Sequence, residues 1–144
     1  MKTLAFRVAQ CVIAITLAAA AVAQTQPGDL VVNIPFAFLA GNRQMPSGKY
    51  VVSRTSNGGL RIAGADNSSS YMFMSAHSIE SRASQSPKLV FHRYDDTYFL
   101  SEVWNGDGRI GRQLPRSKEE KEILSAKANG GHAKGELAEV RSER

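Results

Sequence analysis

Between Leu30 and Leu114 the large apolar residues fall at every second position in short runs, and turn-forming clusters separate the runs. A period of two is the signature of half-buried β-strands. Val32, Ile34, Phe36 and Phe38 alternate within residues 30–39. Pro35, on the opposite face, cannot donate a ladder hydrogen bond, which predicts an edge strand or a bulge there. Gly41-Asn42 and Met45-Pro46-Ser47-Gly48 turn the chain into a second strand over 49–55, and Asn57-Gly58-Gly59 signals a hairpin into 60–63. A turn at 64–68 precedes a strand over 69–76. Residues 77–87 hold one large apolar side chain, Ile79, and read as a loop.

The strongest hairpin joins 88–93 to 97–104 through Tyr94-Asp95-Asp96. With Asp95 and Asp96 as its loop, Arg93 pairs with Tyr98, His92 with Phe99 and Phe91 with Leu100. Leu89, Phe91, Tyr98 and Leu100 then share one face, and Val90, His92, Phe99 and Val103 the other. A hairpin apolar on both faces belongs in the middle of a sheet, covered on both sides. A turn at 105–108 leads to a last strand over 109–114.

These features predict an all-β fold, a single-domain antiparallel β-sandwich or β-barrel of about seven or eight short strands. No strand alternates with a long helical segment, which excludes a parallel α/β sheet. After Pro115, the spacing of Ser117 and Glu120 fits a capping box and predicts a short C-terminal helix over 118–128. Ile123 and Leu124 are its only large apolar residues, so it lies on the body rather than in it. Residues 130–144 have little to bury and are expected to be a disordered tail, which leaves 24–129 as the folded domain.

The N-terminal segment 1–23 has the form of a signal peptide. Lys2 and Arg7 precede an uncharged stretch from Val8, and Ala21-Val22-Ala23 is a small-x-small site, so cleavage is expected between Ala23 and Gln24. The stretch is shorter than the roughly 20 apolar residues of a spanning helix. Cys11 lies inside the apolar run rather than after it, which argues against a lipid anchor. A soluble periplasmic or secreted protein is therefore expected, with no membrane span once the signal is cleaved.

Removal of 1–23 takes the only cysteine and two of the 18 basic residues, so the remainder folds without disulfides and its net charge is +3 rather than +5. Such a modest excess, spread along the chain, describes a solvated surface and predicts no nucleic-acid partner.

Three segments, VNIPFAFLAGNRQMPSGKY, KLVFHRYDDTYFLSEVW and GRQLPRSKEEKE, together resemble a family of small exported bacterial proteins, known mostly as hypothetical proteins of acidobacterial genomes. The resemblance implies export and the fold outline, and it carries no chemistry.

Candidate sites are few. Glu102 is a charge on the Leu89–Phe91–Leu100 face, expected opposite Gly111, and a buried carboxylate there needs a cation such as Arg112 or Lys88. Tyr94, Tyr98 and Trp104, with His92, form a candidate aromatic binding patch. A hydrolase would use Glu102, His92 and Asp95, but the two carboxylates sit at opposite ends of the hairpin and no nucleophile motif accompanies them. Met72 and Met74 alternate on a strand with His77 close behind, a weak Cu(I) candidate whose structural alternative is core packing. Gly106 to Gly111 spells GxGxxG, but a strand follows where a dinucleotide site needs a helix, and Asp107 alone cannot hold calcium. No metal or other cofactor is expected.

The function expected from sequence is a non-enzymatic envelope or extracellular interaction module, with an envelope protein or polysaccharide as partner. A carrier for a small apolar ligand or glycan is the alternative, and the hydrolase a third.

Overall fold

The computed structural model describes residues 28–66, 71–106, 108–130 and 135–142, with 71–74 described by backbone alone. The expected signal segment and its cleavage site, Asp107, and the Met72 and Met74 side chains lie outside the described residues.

Two separate sheets face each other, so the fold is a β-sandwich rather than a closed barrel. The smaller sheet has the order β1 (Leu30–Ile34), β4 (Gly48–Arg54), β5 (Leu60–Gly64), β6 (Tyr71–Met74), all antiparallel. The larger follows β11 (Gly135–Arg141), β8 (Lys88–Tyr94), β9 (Thr97–Trp104), β10 (Ile110–Gln113), β7 (His77–Glu80). The short hairpin of β2 (Phe38–Ala40) and β3 (Arg43–Met45) joins it through a parallel Leu39–Phe99 pairing. Val32, Ile34, Val52, Leu60 and Ile62 from one sheet meet Phe38, Met45, Leu89, Phe91 and Val103 around the other, all less than 2 % exposed. Each such side chain contributes roughly 1.5–3 kcal/mol by leaving water. No helix among the described residues is long and apolar enough to cross a membrane.

Eleven strands among the described residues exceed the expected number for identifiable reasons. The apolar alternation of 30–39 belongs to two strands. Pro35 lacks the N–H to continue the ladder, β1 stops at Ile34, and the chain crosses to the other sheet as β2. Residues 77–80, read as loop, form the edge strand β7 against β10, because an edge strand needs ladder partners more than a buried face.

The tail prediction is corrected over residues 135–141. β11 pairs with β8 along its whole length, Ala138 and Val140 pack against the core, and Lys88 and Arg93 hold Glu139 and Glu136 at 2.7 and 3.7 Å. Without it the central strand β8 would present an unpaired edge.

The central hairpin forms with the expected loop and the expected pairs Arg93–Tyr98, His92–Phe99 and Phe91–Leu100. Asp95 adopts φ of 52°, the left-handed conformation that a tight two-residue loop demands. Then the register slips: Val90 pairs with Glu102, and Ser101 is left as the extra residue of a β-bulge. Strict alternation would have buried Glu102 and turned Val103 outward. The bulge reverses both, so Val103 is fully buried and Glu102 lies on the outer face.

A chain ending after Gly130 is expected to lose about 2 kcal/mol or more, from the β11 ladder and the cover that Ala138 and Val140 give the core. Urea unfolding measures it; an unchanged midpoint would mean that β11 adds nothing to the fold.

Candidate functional site

The outer face of the larger sheet carries the polar cluster that the sandwich core excludes. His92 on β8 and Ser101 on the β9 bulge project there side by side, with Ser101 Oγ 3.2 Å from His92 Nε2. The bulge leaves the Ser101 carbonyl outside the β8 pairing, and Leu114 N donates to it at 2.8 Å. That bond anchors the chain just beyond β10, where Pro115 and Ser117 lead into helix α1 (Lys118–Ala128).

The helix has the predicted bounds and the Ser117 half of the predicted capping box, with Glu120 N donating to Ser117 Oγ at 3.1 Å. The Glu120 side chain is engaged elsewhere. It is 3 % exposed, and its Oε1 lies 2.7 Å from His92 Nδ1, accepts from Tyr94 OH at 3.2 Å and lies 3.7 Å from Arg116 Nε. A buried carboxylate requires such partners, since an unpaired one costs several kcal/mol. With a carboxylate oxygen as acceptor at Nδ1, a neutral His92 ring carries its hydrogen there and turns the Nε2 lone pair to the Ser101 hydroxyl. Burial and the adjacent Glu120 charge raise the Tyr94 pKa above 10.0, which keeps its hydroxyl a donor.

Beside this relay lies an open cleft of about 320 Å³. Ser101 and Leu114 are its buried residues, His92 is half-buried, and His77, Gln113 and Arg116 are exposed at its rim. His77 and Gln113 are register partners on β7 and β10. A second groove of about 240 Å³, on the far side of His92, runs between α1 and β11 past Tyr94, Leu124 and Leu137.

The residues singled out in the sequence are distributed differently. Glu102 does not pair with Arg112: it accepts from Trp104 Nε1 at 2.9 Å, stands opposite Gln113 rather than Gly111, and Arg112 Nε is buried without a hydrogen-bond partner. The aromatic patch does not assemble. Tyr94 and Trp104 are each 7 % exposed on the outer face, the Trp104 ring so close over Gly111 that a Cβ there would come within 2.7 Å. Tyr98 points the other way, stacked on Phe36 at 3.9 Å. Asp95 sits in the hairpin loop, away from both His92 and Glu102 along the strands. Of the Cu(I) candidates, Met72 and Met74 belong to β6 of the smaller sheet and His77 to β7 of the larger. No group of three or more His, Cys, Asp or Glu side chains able to hold a metal occurs among the described residues.

His92 is thus the one nominated residue at the centre of the cluster. Sequence reasoning passed over Ser101 and Glu120. Glu120 was legible only as a capping-box residue, a motif that directs its side chain back to the Ser117 N–H rather than across to the sheet. Ser101 had no signal beyond being a small polar residue in an apolar strand.

Fold and site define a β-sandwich with a polar relay opening on a surface cleft. Comparisons with family models, with curated proteins and with solved structures find no match to the chain.

Stability is expected to fall as the pH rises above about 10, because Tyr50 and Tyr94 have folded-state pKa values raised above 10.0, chiefly by burial. A raised folded pKa stabilises below the unfolded value and is lost as pH passes the folded one. Urea unfolding between about pH 9 and pH 11 should show the loss, with a shallower slope in Tyr94→Phe. An identical slope would remove Tyr94 from the account.

Proposed function

We propose that this protein is an exported binding protein whose ligand site is the cleft beside His92. The observation that carries the reading is the lining itself: a volume of about 320 Å³ with Ser101 on its floor and Arg116, Gln113 and His77 around it. Pockets of roughly 300 Å³ and upward are the size that holds small ligands through a few placed polar groups. Arg116 and Gln113 bring N–H donors, so the complementary ligand is small and polar and carries acceptor oxygens of a carboxylate or carbonyl group. This favours the carrier alternative over the interaction module, since Tyr94 and Trp104 are buried and Tyr98 faces the other way, and of the two expected kinds of carrier ligand it favours a polar one over an apolar one. The leader-like pattern of residues 1–23 supports a place outside the cytoplasm.

Titration of the labelled protein with small carboxylates and their esters, followed by amide NMR, tests it. The expected result is saturable shifts at Ser101, Leu114 and Arg116, with affinity reduced about tenfold in Arg116→Ala, the loss of one charge-assisted contact. Absence of saturable shifts at these amides for every compound at millimolar concentration would overturn the reading.

A further inference from the structure

We infer that the cleft is also reactive: Ser101 is a nucleophile toward small esters, with His92 as its general base and Glu120 as the residue that positions His92. The inference rests on the cleft being a ligand site and adds a reaction to it. Three observations carry it. The order of contacts is Ser101 Oγ to His92 Nε2 at 3.2 Å, then His92 Nδ1 to Glu120 Oε1 at 2.7 Å, so each ring nitrogen faces the partner that a hydroxyl-activating imidazole requires. Glu120 is held by Tyr94 and Arg116 as well as by His92, which locks the orientation of the ring from behind. Ser101 and His92 both line the cleft, so the hydroxyl has access to whatever binds there.

The bulge is what makes this placement available. It sets Ser101 outside the regular β8–β9 pairing while its carbonyl remains tied to Leu114. Bulges re-aim side chains in this way beside functional sites.

The step balances without a cofactor. Ser101 Oγ bonds to the ester carbonyl carbon as its proton passes to His92 Nε2, and the carbonyl π pair moves onto oxygen, where the Arg116 and Gln113 donors on the cleft wall stabilise it. Collapse breaks the bond to the leaving alkoxide, which takes the proton from Nε2. Water, activated by the same nitrogen, then releases the acid and restores Ser101. The chemical class of substrate is a small polar carboxylic ester, fitted to the donors at the rim.

The test uses the full chain, a fluorophosphonate probe read by peptide mass spectrometry, and p-nitrophenyl acetate hydrolysis. The expected adduct is on Ser101, with labelling and hydrolysis reduced at least 100-fold in Ser101→Ala and in His92→Gln. Glu120→Gln should lower the rate about tenfold and shift its pH profile, whereas a purely structural role would change stability alone. Folding of each variant is checked by circular dichroism. Ser101→Cys guards against misfolding of the alanine variant: alkylation by iodoacetamide at position 101, read by peptide mass spectrometry apart from Cys11, should slow when His92 is also replaced. No adduct, an adduct elsewhere, or labelling indifferent to His92 overturns the inference. If carboxylates and esters still shift the Ser101 and Arg116 amides in that case, the binding reading stands and only the reaction falls; if those shifts are missing too, both fall.

Discussion

The pairing of β8 with β9 is the constraint on which the rest depends, because both of its faces are covered. One face supplies Leu89, Phe91, Leu100 and Val103 to the sandwich core. The other supports α1 and the polar cluster. A regular ladder could not serve both layers with this sequence, since it would bury Glu102 and expose Val103. Burying a bare carboxylate costs several kcal/mol, and turning a valine out forfeits roughly 1.5 kcal/mol or more. The single extra residue at Ser101 removes both penalties. The same irregularity sets a hydroxyl next to His92.

The second dependence is the burial of Glu120. Its backbone completes the helix cap with Ser117, while its carboxylate crosses to the sheet and meets His92, Tyr94 and Arg116. A helix with so thin an apolar face gains modestly from hydrophobic packing. Its position on the sheet is therefore specified by the polar contact, and the ordering of the His92 ring follows from it. The proposed binding would draw on a geometry already assembled in the free protein, which spares the cost of ordering these side chains on binding.

Local signals were sufficient for much of the fold. The Asp95-Asp96 loop, the three pairs that follow it, the hairpin at Asn57–Gly59 and the bounds of α1 all come from turn chemistry, apolar period or capping within a few residues. The departures share a physical cause. β11 and β7 have weak patterns of their own and become strands because β8 and β10 offer ladder partners. The break at Pro35 depends on which sheet receives the next segment. The bulge depends on the energetic balance between two faces of a sheet, which alternation within one strand cannot express. Of the site, His92 was readable as a lone histidine in a central strand, and Tyr94 was singled out as an aromatic ring rather than as a donor to Glu120. The aromatic residues drew notice by size, but size is also what packs Trp104 over Gly111 and Tyr98 against Phe36.

The amino-acid sequence by itself determined that this chain forms short antiparallel strands with tight turns and one capped helix, and that its domain folds without disulfides. Period, turn residues and caps act over neighbouring residues, so they are written locally. Tertiary structure alone decided which strands join which sheet, where the register slips, and that Ser101 and Glu120 meet His92 across separations of 9 and 28 residues. Those outcomes arise from satisfying buried polar groups and filling two layers at once. Such conditions exist only when distant segments compete for the same space.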